Sequence, residues 1–317
     1  MTATILPPRD QRRAGPGNRS RAVHRRVFSS EQFTGWAFVT PGVAIILLFG
    51  AVPIIWSAIL SFQNRSSLGG ASRFIGLQNY SKLVHDPVVA QAISHTLIYT
   101  VLFVPGTMIV GLFLAVGMNR KIRLLWLYRT AAYATMAIST ISEAIVFIWL
   151  FDPSYGIVNY LLNSVGIPSQ QWLNSPSEAL YVIVIMTIWG WTGFAVVVYL
   201  AALQGVPQPL LEAAALDGAG PWKTFRKITL PLLSPASLFL AVWLTINALQ
   251  LFDEVYLSTQ GGPLNATTVL VYYLYEQAFQ NFTFGYASAI AYVLFLIIAV
   301  VTFIQFRVGR RYTHYQS

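Results

Sequence analysis

The chain has 317 residues, 56% of them hydrophobic and 14% aromatic, with 10% charged, a net charge of +9 and no cysteine. That balance is too apolar for a soluble domain of this length and marks an integral membrane protein. Without cysteine, disulfides, thiolate metal sites and cysteine nucleophiles are excluded. In chain order, residues 1–32 carry "RDQRRAGPGNRSRAVHRR", with no apolar period, and read as a disordered basic tail. The apolar stretch 36–62 is about twice the length of a signal-peptide h-region and no A-x-A-like site follows, so it reads as an uncleaved span.

Crossing the bilayer takes about 20 apolar residues. Five further stretches qualify: 91–118, 126–150, 180–204, 236–258 and 284–307. They are too long and too continuous for the alternating strands of a membrane barrel. The expected fold is an all-α membrane bundle of six transmembrane helices filling 33–311, with a short tail at 312–317. Pro105 and Gly106 in the second stretch predict a kink.

Seventeen of the 20 basic residues fall in the two termini and in the segments joining stretches 2–3 and 4–5, which share one side if the helices alternate. The positive-inside rule makes that side, and both termini, cytoplasmic. The loops 63–90, 151–179 and 259–283 then lie outside. The charge is thereby accounted for by topology and does not point to nucleic acid.

The sequence contains no G-x4-GK-[ST] phosphate loop, no H-E-x-x-H, no G-x-S-x-G and no G-x-G-x-x-G, and its four His are scattered. The acid/base or metal constellation that a membrane enzyme needs is missing. One segment stands apart from the hydrocarbon on either side, "EAAALDGAGPWKTFRKITLPLLSP" (212–235). "PQPLLEAAAL" is built from strong helix formers. Asp217-Gly218 then predicts a stop, because Gly takes the left-handed conformation freely. Pro221 suits the first turn of a second short helix, and Leu230-Pro231 is expected to break it before the fifth span. Loops of this length (205–234) are usually functional.

Glu212, Ala213, Ala214, Gly218, Ile228, Leu230 and Pro231 match the pattern E-A-A, three residues, G, nine residues, I-x-L-P. This resembles the cytoplasmic EAA loop of bacterial ABC-importer permeases. The resemblance implies that the hairpin, Asp217 included, docks into a cleft of a separate ATP-binding subunit and couples nucleotide-driven closure to the spans. It further implies two such subunits holding ATP and Mg, a second permease forming a heterodimer, an extracytoplasmic solute-binding protein, and no cofactor on this chain. "FIGLQNYSKLVHDP" (74–87), "NALQLFDEVYLSTQGGPLNATT" (247–268) and "AFQNFTFGYASA" (278–289) are similar to sugar permeases of the maltose and glycerol-3-phosphate type, in particular to the larger maltose permease. A sugar or polyol cargo is implied, glycerophosphate-type solutes included, in a bacterial inner membrane.

Candidate pathway residues come from polarity inside the spans. Trp243, Asn247, Gln250 and Glu254 are spaced 4, 3 and 4, which puts them on one face if the helix is continuous. Amides beside an aromatic surface can stack on a sugar ring and bond its hydroxyls, or they can hold helices together. Asp253 and Glu254, near the end of that stretch, read as a solvated end or a gate contact. Glu143 is an acid deep in a span and should face the bundle interior, pairing with a partner subunit or meeting substrate. Trp189 and Trp191 form either a stacking shelf or aromatic packing. An ion-gradient-driven secondary transporter is the competing function class, though the two halves show no internal repeat.

Overall fold

The structure, a computed structural model, describes residues 30–65, 72–120 and 123–312. The basic tail 1–29, Lys121 and residues 313–317 lie outside the described residues. The chain divides into two units, Met1–Pro53 and Ile54–Ser317. In the first, helix begins at Ser30, three residues before the expected boundary, and passes into a π-helical stretch Leu47–Ala51.

Among the described residues, four helices are long and apolar enough to cross a membrane: Thr34–Ser61, Pro87–Met118, Ala179–Gln204 and Phe284–Gly309. Two further spans exist only as bent pairs. Leu125–Ala137 and Thr140–Leu150 meet at 104°, and Pro221–Leu232 and Ser234–Leu249 meet at 61°. The first of these corrects the expectation of one helix over 126–150. Ile138 and Ser139 are extended (ψ 131° and 140°), which ends one helix and starts another at a serine, a residue type favoured before a helix. The second corrects the expectation that Pro231 breaks the surface helix. Helix continues through Leu230–Leu232 and the bend falls at Leu233. The π-helical stretch Phe225–Thr229 directly precedes Pro231, and its wider turn gives room where a proline ring would otherwise meet the preceding carbonyl.

Pro105 does not interrupt its helix, which runs unbroken from Pro87 to Met118. Small residues set how closely that helix approaches Ala179–Gln204. A Cβ on Gly111 would sit 2.4 Å from the Ala195 side chain, and one on Gly106 would sit 2.6 Å from Ile188. Gly193 is pressed likewise against the Ala132 carbonyl, 2.4 Å from an added Cβ. With no hydrophobic drive between helices in lipid, such close backbone approach is what packs them. Around it lies a buried cluster including Tyr99, Phe103, Ala144, Ile183, Leu244 and Val255.

The segments joining spans 1–2, 3–4 and 5–6 are structured, which hydropathy did not reveal. Strands Gln63–Asn64 and Arg73–Phe74 pair antiparallel, and Asn79 clamps them by donating to the carbonyls of Ser61 (2.8 Å) and Gln63 (3.0 Å). Asp86 caps Pro87–Met118 through Val88 N–H (2.9 Å) and accepts hydroxyl hydrogen bonds from Tyr273 (2.8 Å) and Tyr286 (2.7 Å). Burial alone would raise its pKa. The bonds from Tyr286, Tyr273 and backbone N–H groups outweigh that and hold the carboxyl below its ordinary value. In the last segment Gly261 has φ +80°, and a Cβ there would lie 2.7 Å from both Thr268 and Tyr272. The "GGP…TT" motif is a turn closed by its own threonines, with Thr267 donating to Gly262 (2.8 Å).

Candidate translocation cavity and coupling hairpin

Helix Ser234–Leu249 stops in the middle of the apolar stretch expected to carry it to residue 258. Gln250 N–H bonds to Asn247 O (3.1 Å) and Leu251 N–H to Ala248 O (3.2 Å), a tightened last turn, and a new short helix starts at Asp253. The stripe Trp243, Asn247, Gln250 and Glu254 is therefore not one helical face. The break instead folds 250–254 around a cavity of about 210 Å³, with Asn247, Gln250, Asp253 and Glu254 in its wall. Breaking a span frees backbone groups, which is tolerated where they border a cavity.

The wall also holds Tyr99, Phe103, Trp191 and Phe252, joined by Thr140 from the start of the bent third span. Tyr99 and Phe103 are one turn apart and stacked at 5.2 Å, while Trp191 meets Phe103 edge-on at 6.4 Å. Asn247 spends one of its two amide N–H groups on its own helix, donating to Trp243 O at 2.8 Å, which leaves the other N–H and the carbonyl oxygen for a ligand. Every lining residue is aromatic, aliphatic, neutral polar or acidic, and none is basic. Aromatic faces together with amide and carboxylate oxygens can stack on a sugar ring and accept its hydroxyl protons.

Other candidates fall elsewhere. Trp243 lies outside the cavity, stacked on Phe239 and tilted against Phe194, both at 6.1 Å. Trp189 packs on Phe147 at 5.7 Å and does not share a shelf with Trp191. At about 100° per residue, positions two apart point to nearly opposite sides of a helix. Glu143 is buried at 8% exposure. A Cβ on Gly190 would stand 2.5 Å from both of its carboxylate oxygens, so a side chain there would displace the carboxylate, and Oε1 has no hydrogen-bond partner among the described residues. It sits one turn after Thr140 without lining the cavity. Sequence reading missed Tyr99, Phe103, Thr140 and Phe252. An aromatic pair one turn apart (99 and 103) was the available signal, and nothing marked Phe252.

The polar hairpin forms as two helices, Gln208–Leu216 and Pro221–Thr224, the latter extended by the π-helical stretch. Asp217 ends the first helix, Gly218 follows at φ +72°, and Gly218 N–H and Ala219 N–H bond to the carbonyls of Ala215 (3.1 Å) and Ala214 (2.9 Å). This pair of crossed bonds is the Schellman ending. Nothing lies within 4 Å of a Cβ added at Gly218, so backbone conformation and not space demands glycine. Glu212 is exposed and accepts from Gln208 at 3.2 Å. Ala214 is buried, whereas Leu216 is 90% and Trp222 72% exposed. Ile228, Leu230 and Pro231 lie where the hairpin returns towards Ser234–Leu249, a helix that spans roughly 24 Å from there to the cavity at 1.5 Å per residue.

A multi-span bundle with a polar cavity, joined by one helix to an exposed hairpin with apolar tips, defines a solute permease that works with a partner. The chain belongs to the family of binding-protein-dependent transport system inner membrane components, whose model matches residues 107–314. It is an ABC-importer permease. Over 282 residues it is 38% identical to the lactose transport system permease protein LacF of Rhizobium radiobacter, covering 87% of this chain and 94% of that one. It is 34% identical over 282 residues to the sn-glycerol-3-phosphate transport system permease protein UgpA of Yersinia pestis bv. Antiqua, covering 89% and 95%. Among solved structures it matches a chain of the bacterial alginate ABC transporter in complex with its pentasaccharide-bound periplasmic protein, with a TM-score of 0.79. That match covers 89% of this chain and 95% of the other at 24% identity, and bears on the fold alone.

Proposed function

We propose that this chain carries a sugar or polyol through the cavity bounded by Asn247, Gln250, Asp253, Glu254 and Trp191, driven by ATP hydrolysis on separate subunits. The observation that carries this reading is the convergence of amides, acids and aromatic faces at the break in the fifth span. The names of the similar permeases, lactose and glycerol-3-phosphate, support a polyhydroxylated cargo. The hairpin 205–234 is read as the plug for an ATP-binding subunit, with Glu212 meeting a base there and Leu216 and Trp222 burying apolar surface. ATP and Mg belong to two such partner subunits. A second permease completes the pathway, and an extracytoplasmic solute-binding protein delivers the cargo.

A sugar leaving water gives up hydroxyl hydrogen bonds worth about 1–3 kcal/mol each when left unmet. Asn247→Leu or Gln250→Leu should therefore lower uptake by about tenfold in the assembled importer while complex yield stays unchanged. Measuring both on purified, reconstituted importer decides the matter. A fall in yield that matches the fall in uptake would mean these amides hold helices together instead.

Both termini and the hairpin are read as cytoplasmic. Single cysteines are easily interpreted because the chain has none of its own. On intact cells a membrane-impermeant thiol reagent should label position 165 and spare positions 20 and 222. The reverse pattern would invert the topology.

A further inference from the structure

Where the second span ends, a groove of about 340 Å³ opens between Pro87–Met118 and the helix starting at Leu125. Its walls include Phe113, Leu114, Val116 and Met118, and among the described residues the lining side chains with polar groups are Arg120 and Tyr128. Gly117 is part of the lining, and a Cβ built on it meets nothing within 4 Å. We propose that this groove holds one acyl chain of an anionic phospholipid whose headgroup is bound by Arg120 and Tyr128.

Three observations converge on that occupant. First, charge: Arg120 lines the groove, three further bases (Lys121, Arg123 and Arg129) follow it in the sequence, and no Asp or Glu occurs anywhere from 87 to 142. Basic pockets of this kind on the cytoplasmic side of membrane bundles attract anionic headgroups. Second, a neighbouring base: Arg129, outside the lining itself, gives one N–H to the carbonyl of the lining residue Met118 at 3.4 Å, and its buried Nε has no acceptor among the described residues. Third, depth: Trp126 and Tyr128 are 65% and 54% exposed at the start of a span, as aromatic residues at a headgroup boundary are. A soluble anion would account for the bases and leave the apolar walls unexplained. A neutral lipid would do the opposite.

The test uses the importer purified with its partner subunits, delipidated and titrated with phosphatidylglycerol or phosphatidylcholine, with bound lipids counted by native mass spectrometry. Phosphatidylglycerol should be retained at one copy per copy of this chain, in preference to phosphatidylcholine. Arg120→Gln should weaken it about fivefold, the effect of one base near an anionic lipid surface. Gly117→Leu keeps every base but fills the groove, and should weaken retention comparably. Arg307→Gln, a base at the far end of the last span, should change nothing. Equal retention of both lipids, or wild-type retention in both groove variants, would overturn the proposal. So would a cysteine at 117 that cross-links efficiently to a partner subunit, because the groove would then be filled by protein. Sugar uptake is not part of this readout, so its failure leaves the permease function standing, and the placement at the inner leaflet rests on the proposed orientation.

Discussion

Gly218→Val should reduce substrate-stimulated ATP hydrolysis by the assembled importer at least about tenfold, with membrane insertion unchanged. The residue sits at φ +72° in open space, so valine meets no neighbour and pays only in backbone strain. For a non-glycine residue in the left-handed region that strain is about 1–2 kcal/mol, and a β-branched side chain lies at the upper end or beyond. The two crossed bonds to Ala214 and Ala215 would be lost, turning the second helix away from the first. Gly218→Asn is the informative companion, because asparagine visits this conformation more readily. It should keep most of the stimulation. If valine and asparagine behaved alike, strain would not be the cause. If both were normal, the hairpin would not be the coupling element. Glu212→Ala should reduce stimulation with the helix Gln208–Leu216 intact, since its side-chain bond among the described residues is to Gln208, one turn away on an exposed face.

The second large effect concerns Asp86. Its carboxylate caps the second span and ties Tyr273 and Tyr286 to it, joining three segments far apart in sequence. Asp86→Ala removes a cap and the acceptor for two hydroxyls, and should destabilise the complex by about 3 kcal/mol, read as a lower unfolding midpoint in detergent. Asp86→Asn has one acceptor oxygen, which can keep the cap while its amide nitrogen replaces the oxygen that accepts from both tyrosines, and it should lose less. The sign of the pH dependence follows from the depressed folded-state pKa. The carboxylate's contribution is present above the ordinary aspartate value of about 3.9 and is lost as pH falls through the lower folded-state value. Wild type should therefore hold its midpoint advantage over Asp86→Asn down to about pH 4 and surrender it only below. An advantage that vanished near neutrality would place the stabilisation in another group.

Much of this protein was readable residue by residue. Apolar run length located the four continuous span helices to within a few residues, because transfer into lipid depends mainly on local composition, and it marked the two bent pairs without their breaks. The turn at Asp217-Gly218 was legible because one glycine in a fixed place has a conformational meaning of its own. The family was legible because the E-A-A…G…I-x-L-P pattern sits whole in one segment. The breaks at Ile138–Ser139 and at 250–252 were not. Neither is marked by proline or glycine, and hydropathy averaged over a window weighs side chains without seeing backbone hydrogen bonds. The cavity was hidden for the same reason. Its wall gathers Tyr99, Thr140, Trp191 and Gln250 from four separate helical segments. They meet because Gly106 and Gly111 let one span close on another at Ile188 and Ala195, and because the fifth span stops at Leu249. Apolarity is a property each residue carries alone, whereas a cavity is what remains between helices once their closest contacts are chosen.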